Sequence, residues 1–198
     1  IEPATGAIIA MVGSSPKFMA EHPDAKYSLN HATQIKRQPG SAFKPFVYTC
    51  ALENGYNPST MVECGPFSYS LPSGEVWSPS GTGNCGAGEK TSLSQALKMS
   101  INTVAARLVT TITTPTEVIA KARKMGVNSA LSAVPAISLG AGGDVSPLEI
   151  TSAYGTFAHN GIHINPYYFT RIEDHQSNLI KEKRRTYNYS PAMTADIA

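Results

Sequence analysis

Ser41 and Lys44 are the residues of this chain whose types and spacing suit covalent catalysis. They stand three apart at the start of the stretch Ser41–Glu53, whose apolar pattern predicts a helix ended by Gly55. Residues three apart share one face of a helix. A serine hydroxyl becomes a good nucleophile when a base takes its proton, and lysine is such a base when its pKa is lowered. The pattern therefore makes Ser41 a candidate nucleophile with Lys44 as its base.

Pro45 indicates where in the helix this pair lies. Proline has no N–H to donate and is tolerated in the first helical turn, which places Ser41 at the positive end of the helix dipole. Gly40 permits a sharp entry and a close approach by a substrate. The S-x-x-K pattern alone is weak, because it recurs at Ser14–Lys17 with a proline inside it, where we expect no helix to follow.

Ser100 and Asn102 form a second polar pair, which interrupts the apolar helical stretch Leu93–Leu108. Serine and asparagine compete for backbone hydrogen bonds and favour breaks in helices. A break here would aim both side chains into a cleft. Judged on these local features alone, ordinary capping between two helices is the competing interpretation.

Capping signals predict three further helix starts, at Ser92, Thr114 and Ser146. Glu117 and Glu149 follow the last two caps by three residues, as in a capping box. We therefore assign these two carboxylates to capping and not to acid or base catalysis.

The rest of the chain alternates between strand and loop signals. Residues 7–12 predict a strand, residues 14–40 a polar loop, and residues 57–90 an excursion with short strands. Residues 167–173 and 179–183 predict a hairpin. A helical middle with strands at both ends indicates an α+β fold.

Composition narrows the function classes. The 198 residues suffice for one domain, and a net charge of +2 with 15% charged residues gives no reason to expect nucleic acid. The basic run Lys181–Arg185 is interpreted as a solvated hairpin edge. No apolar run approaches the ~18 residues of a membrane span. The five histidines have no metal-ligand spacing, so we expect neither metal nor cofactor.

The three cysteines differ in their surroundings. Cys50 lies in the apolar helical pattern and is expected to be buried. Cys64 and Cys85 bracket a segment rich in Gly, Pro and Ser. They would pair in an oxidising compartment, but spacing alone leaves both the paired and the free state open.

Several of these motifs together resemble a known family. Arg37–Phe46 resembles the nucleophile segment of class A penicillin-binding proteins, the bifunctional enzymes of peptidoglycan assembly. Five further stretches match in the same order: Asn30–Thr33, Leu93–Leu108, Ser138–Gly140, Val145–Glu149 and Ala153–Gly161. The match covers nearly the whole chain, and the ordered set is specific although each motif is weak.

The resemblance implies a penicillin-binding/β-lactamase-like fold and assigns a role to each residue. Ser41 would attack the carbonyl of a D-alanyl-D-alanine stem peptide, and Lys44 would take its proton or hold it in a network. Ser100 would relay a proton to the leaving amine, and Asn102 would bind Lys44 and the substrate amide. The N–H of Ser41 would form half of an oxyanion hole. A β-lactam would mimic the dipeptide and remain on Ser41.

Two departures from the family pattern stand out. The segment Trp77–Ser80 resembles one that usually ends in asparagine; Trp77 would line the substrate cleft or simply pack. The third motif, K-T-G, is absent, since Lys90-Thr91 is followed by serine and precedes the second motif. The chain begins in mid-pattern at Ile1, as if excised from a longer protein. We therefore expect an incomplete enzyme, with the missing strand elsewhere or on a companion chain.

The resemblance also implies a layout and a location. Residues 1–15 would give the first sheet strand, 16–160 a helical subdomain, and 161–198 a return towards the sheet. The domain would face the periplasm or the cell exterior, attached to the bacterial membrane through segments outside this sequence. Alternative functions are a D,D-carboxypeptidase, a β-lactamase-type hydrolase or a non-catalytic β-lactam-sensing module.

Overall fold

The structure of the chain, a computed structural model, describes residues 1–23, 30–80, 85–182 and 191–198. Lys183–Arg185, the end of the basic run, lie outside the described residues. The α-helices are α1 (Pro16–Glu21), α2 (Lys44–Glu53), α3 (Leu93–Lys98), α4 (Asn102–Arg107), α5 (Pro115–Lys124) and α6 (Pro147–Ala158). The strands are β1 (Met61–Glu63), β2 (Tyr69–Ser70), β3 (Val76–Trp77), β4 (Lys90–Ser92), β5 (Arg171–Glu173) and β6 (Leu179–Glu182).

Helix α2 lies at the centre of the hydrophobic core. Phe46, Val47 and Ala51 are fully buried on it, and it contacts α3, α4 and α5. A helix surrounded by other elements has no water-facing side, which explains why its apolar residues fall on all faces. Cys50 is buried there as predicted. The rigid surroundings fix the residues at the start of the helix.

Local capping chemistry explains where the flanking helices begin. Thr114 and Ser146 each form a reciprocal capping box, with Glu117 and Glu149 respectively, which confirms the assignment of both carboxylates. Ser92 caps α3 by accepting a hydrogen bond from the N–H of Gln95. These side chains satisfy helix N–H groups that would otherwise lack partners.

The Glu149 carboxylate binds a second segment of the chain besides capping its own helix. Its pKa makes the resulting stabilisation of the fold depend on pH. Its carboxylate also accepts hydrogen bonds from the N–H groups of Asn128 and Ser129. Burial raises the pKa of Glu149, but these hydrogen bonds outweigh it and hold the pKa below the ordinary value of 4.5. The depressed pKa means that this stabilisation is complete above pH 4.5 and is lost as the pH falls through the folded-state pKa.

We expect Glu149→Gln to lower the free energy of unfolding at neutral pH by about 1.5–3 kcal/mol, since hydrogen bonds to a charged group are lost. The difference from the wild type should shrink below pH 4.5. Urea denaturation at neutral and acidic pH measures both effects, with Glu75→Gln at an exposed hairpin site as the control. An equal difference at the two pH values would contradict this account.

Two predictions at the N-terminus are wrong. Residues 7–12 form no strand, because among the described residues their backbone pairs only around Ala7, which bridges to Tyr167, and a strand needs a continuous partner. A helix does follow Ser14: α1 begins at Pro16, with Ser15 accepting a hydrogen bond from the N–H of Phe18. Proline at the first helical position starts this helix instead of breaking it.

The strands pair as small antiparallel ribbons. β1 pairs with β4, β2 with β3, and β5 with β6. The first two pairs confirm the predicted excursion with short strands. The hairpin at the end is also confirmed, although its first strand begins at Arg171 and not at residue 167, and the register shifts between Ile172 and Glu173. Residue 183, the predicted end of the second strand, lies outside the described residues. Together with the helices they confirm the α+β class. Within the described residues, no helix is long and apolar enough to cross a membrane.

Candidate active site

Ser41 lies in a tight turn that leads into the buried helix. Gly40–Phe43 form a 3₁₀ turn, and α2 continues from Lys44. The N–H of Lys44 donates to the carbonyl of Ser41, while Pro45 has no N–H to give. This confirms that Pro45 marks the first turn. The Ser41 side chain is exposed, and within the described residues its hydroxyl has no hydrogen-bond partner.

The Lys44 amine is buried among three oxygen acceptors. The residue is 1% exposed, and its Nζ donates to Asn102 Oδ1 (2.6 Å), Ser100 Oγ (2.9 Å) and the Ser100 carbonyl (2.5 Å). An ammonium group has three protons, so the charged form matches these partners. Burial lowers the pKa of Lys44 from its ordinary value of 10.5. The site therefore holds the amine in place while making loss of its proton easier.

Ser100 reaches the amine because of how α3 ends. Its N–H donates to the carbonyl of Leu97 and the N–H of Ile101 to that of Ala96, which is the Schellman pattern of a helix C-terminus. Ser100 occupies the left-handed position of this motif with φ +55°. Glycine usually fills that position, and strained non-glycine residues concentrate at functional sites. The turn directs both the hydroxyl and the carbonyl of Ser100 towards Lys44.

Asn102 opens the next helix and connects two parts of the site. It is the first residue of α4, and its Oδ1 accepts from Lys44 while its Nδ2 donates to the carbonyl of Ser80 at 2.9 Å. These two partners fix the orientation of the amide. Ser80 is the last residue of the Trp77–Ser80 segment. The Ser100–Asn102 motif therefore contacts the segment of residues 57–90 directly.

The structure thus brings Lys44, Ser100 and Asn102 together, with Ser41 on the turn that precedes Lys44. Trp77 lies half-buried in β3, paired with Tyr69 of β2. Within the described residues, no hydrogen bond or ring contact joins it to the other candidates, so its role in the cleft stays a prediction. The carbonyl of Ser80 was not anticipated, because a sequence does not reveal which backbone group an irregular segment will present.

Side chains of helix α4 also bind the segment of residues 57–90. Thr103 Oγ1 donates to the carbonyl of Cys64 at 2.7 Å, and Arg107 donates to the carbonyl of Pro66 at 2.9 Å. Arg107 also pairs with Glu63 at 3.3 Å. Cys64 is disulfide-bonded to Cys85, with the Cα atoms 5.5 Å apart, which settles the pairing left open by the sequence.

Neither metal binding nor catalysis by Glu117 or Glu149 finds support in the described part of the chain. There, no three side chains of His, Cys, Asp or Glu lie close enough together to hold a metal ion. Glu117 and Glu149 are engaged in their caps, and His163 hydrogen-bonds Ser152 at 2.9 Å. The nucleophilic chemistry that these residues support therefore centres on the start of α2.

Comparison with known proteins places this geometry in context. The family model described as penicillin binding protein transpeptidase domain matches residues 1–197. Penicillin-binding protein 1A of Neisseria lactamica is 36% identical over 184 residues, which are 90% of this chain and 22% of that protein. This chain therefore spans less than a quarter of that relative's length.

Solved structures are also similar to this chain, and two examples follow. The crystal structure of penicillin-binding protein 1A from Haemophilus influenzae aligns with a TM-score of 0.70 and 28% identity, over 82% of this chain and 24% of that one. An imipenem acyl-enzyme complex of penicillin-binding protein A from M. tuberculosis aligns with a TM-score of 0.80 over 100% of this chain and 53% of that one. At 22% identity, this second structure supports the fold alone.

Proposed function

This chain belongs to the family of penicillin-binding protein transpeptidase domains, and we propose that it is the acylating part of a D-alanyl-D-alanine transpeptidase that cross-links peptidoglycan. The similarity to penicillin-binding protein 1A agrees with the class A resemblance of the motifs. The observation that carries the proposal is the buried amine of Lys44, the residue that directly follows the Ser41 turn. This amine contacts both Ser100 and Asn102.

Acylation begins with the Ser41 hydroxyl. Its Oγ attacks the carbonyl carbon of the penultimate D-alanine, and the proton passes to the neutral amine of Lys44. Burial favours that neutral form, because it lowers the pKa of Lys44. Once charged, the amine has three acceptors already in place. Preorganised partners of this kind stabilise developing charge without reorganisation.

Breakdown of the tetrahedral intermediate requires a proton on the leaving group. The bond between carbon and the amine of the terminal D-alanine breaks, and Ser100 relays a proton from Lys44 to that amine. Ser100 Oγ lies 2.9 Å from Nζ, which suits the relay. Asn102 holds Lys44 through Oδ1 and donates one Nδ2 proton to Ser80, and the second Nδ2 proton binds the substrate. An acceptor amine then attacks the acyl carbon and gives its proton to the neutral Lys44. The bond between the acyl carbon and Ser41 Oγ breaks, and Lys44 returns the proton to Oγ.

Partners and location follow from this chemistry. The substrates are peptidoglycan stem peptides, and β-lactams acylate Ser41 in their place. Penicillin-binding protein A from M. tuberculosis, whose fold is similar, forms an acyl-enzyme complex with imipenem. The K-T-G strand is supplied by another segment or by a companion chain. The domain works outside the cytoplasmic membrane, and the Cys64–Cys85 disulfide supports this because such bonds persist in oxidising compartments.

Release of D-alanine tests the function. The full-length protein is incubated with a pentapeptide donor ending in D-alanyl-D-alanine and with an acceptor amine. We expect cross-linked product and free D-alanine from the wild type and neither from Ser41→Ala, because no other residue supplies the nucleophile. Ser14→Ala, in the second S-x-x-K pattern, is the matched control and should keep activity.

The products also separate the alternatives. A carboxypeptidase would release D-alanine without cross-linking, and a β-lactamase would hydrolyse penicillin at a steady rate. A sensing module would bind penicillin covalently yet leave the donor peptide intact. Glu117 and Glu149 are committed to helix caps, which removes them as bases for activating a hydrolytic water. Release of D-alanine by Ser41→Ala at the wild-type rate would refute the proposal.

A further inference from the structure

The turn that carries Ser41 is held by one distant segment, residues 140–154. The first contact lies four residues before the serine. Arg37 and Val145 exchange both backbone hydrogen bonds, at 3.0 and 2.9 Å, as an isolated antiparallel bridge. This pair aligns the two segments and fixes the direction from which the chain enters the turn.

The second contact is immediately before the serine, where two glycines touch. A Cβ placed on Gly140 would lie 2.2 Å from the carbonyl oxygen and 2.4 Å from the nitrogen of Gly40. These are backbone atoms, which cannot swing away as a flexible side chain can. Gly140 also has φ +75°, a conformation that L residues rarely adopt. Only glycine therefore lets residue 140 approach Gly40 this closely.

The third contact is immediately after the serine. Tyr154 on α6 donates its hydroxyl to the carbonyl of Ala42 at 2.9 Å. Its ring packs edge-on against Phe46 and Phe157, which keeps the hydroxyl in place. Burial raises the pKa of Tyr154 above its ordinary value of 10.0, so the group remains a donor at neutral pH.

Ser41 is thus clamped through both neighbours while its own side chain is left unbonded by the described residues. We propose that Gly140 and Tyr154 are positioning residues for the nucleophile: they fix the turn so that the Ser41 hydroxyl faces the Lys44 amine. This inference rests on the proposed acylation of Ser41. Neither residue touches the reacting atoms, so both act through the backbone of Gly40 and Ala42.

Tyr154→Phe tests the clamp, because it removes the hydroxyl and keeps the ring packing. We expect the limiting rate of acylation by a fluorescent penicillin, in the full-length protein, to fall about fivefold, the equivalent of one lost hydrogen bond. The half-saturating concentration and the pH midpoint should not change, since Lys44 keeps its partners. A merely structural role would lower the amount of labelled protein and leave the rate constant unchanged.

Tyr48→Phe is the matched control. Tyr48 lies on α2, is 4% exposed, and its hydroxyl has no hydrogen-bond partner in the described structure. Its removal should leave the acylation rate unchanged. Equal rates for the wild type and Tyr154→Phe, with the wild type fully labelled, would overturn the inference while leaving the proposed function intact. Absence of labelling in the wild type would instead overturn the proposed function.

Gly140→Ala gives the stronger perturbation. The new methyl group would push Gly40 and with it Ser41, and we expect a loss of acylation rate of about 10²-fold, as displacements near 1 Å can produce. Gly55→Ala is the control for backbone strain without a clash. Gly55 also has a positive φ, +88°, but a Cβ added there would have open space around it. Gly55→Ala should keep the wild-type acylation rate. A wild-type acylation rate in folded Gly140→Ala would contradict the proposal that Gly140 positions Ser41. If this variant does not fold, the acylation rate of Tyr154→Phe tests the proposal instead.

Discussion

Lys44→Met is expected to lower the rate constant for acylation by a β-lactam by roughly 10²–10⁴, the usual contribution of a positioned acid or base. Methionine keeps much of the length and the apolar stem of lysine, and the site is buried, so the core around α2 should remain packed. What disappears is the base that takes the Ser41 proton. Stopped-flow or gel-based labelling of the full-length protein measures the rate.

Lys121→Met is the matched control for this substitution. Lys121 is 6% exposed, and its amine contacts Glu53 and the carbonyl of Ala192, so it is also a buried lysine with oxygen partners. Its replacement should reduce stability but leave the acylation rate of the folded protein unchanged. If Lys44→Met reacted as fast as the wild type, the assignment of Lys44 as the base would be wrong.

Reduction of the Cys64–Cys85 disulfide is expected to lower the free energy of unfolding by about 3 kcal/mol, because the bond closes a loop with a sequence separation of 21 residues. The loop closed by the disulfide contains Ser80, whose carbonyl accepts a hydrogen bond from Asn102. Urea denaturation with and without a reductant measures the change, and a thiol count shows that the bond has opened.

A double variant with alanine at both disulfide positions provides the control. Cys50, the remaining buried thiol, is unpaired in the wild type, so the reductant should have no effect on the double variant. The denaturation midpoint of the wild type should shift. A midpoint that does not shift, with all three thiols free after reduction, would contradict the stabilising role of the bond.

Local chemistry explains which elements could be predicted from the sequence. Thr114 and Ser146 have all their capping partners within three residues, so a short window contains the whole signal. Pro45 restricted Ser41 to the first turn by a purely local steric argument. The prediction failed at residues 7–12, because strand formation depends on a partner that lies far away in the chain. At Pro16 the error was different, since proline was interpreted as a helix breaker although it stands where helices begin.

Only part of the candidate active site could be predicted from the sequence. Ser100 and Asn102 were singled out, but their local features alone favoured ordinary capping. The contact that distinguishes them, the Lys44 amine, comes from 56 residues earlier in the chain. The contact between Gly40 and Gly140 spans an even longer stretch of chain, and nothing in one sequence indicates which glycine another glycine touches. Tertiary packing decided each of these contacts.

Mapping the bond formed with benzylpenicillin tests the central claim most directly. The full-length protein is saturated with the antibiotic, digested with trypsin and analysed by peptide mass spectrometry. We predict one adduct, on Ser41, in the peptide that starts at Gln38. An adduct on a different residue, or folded protein whose mass does not change at saturating antibiotic, would contradict the account.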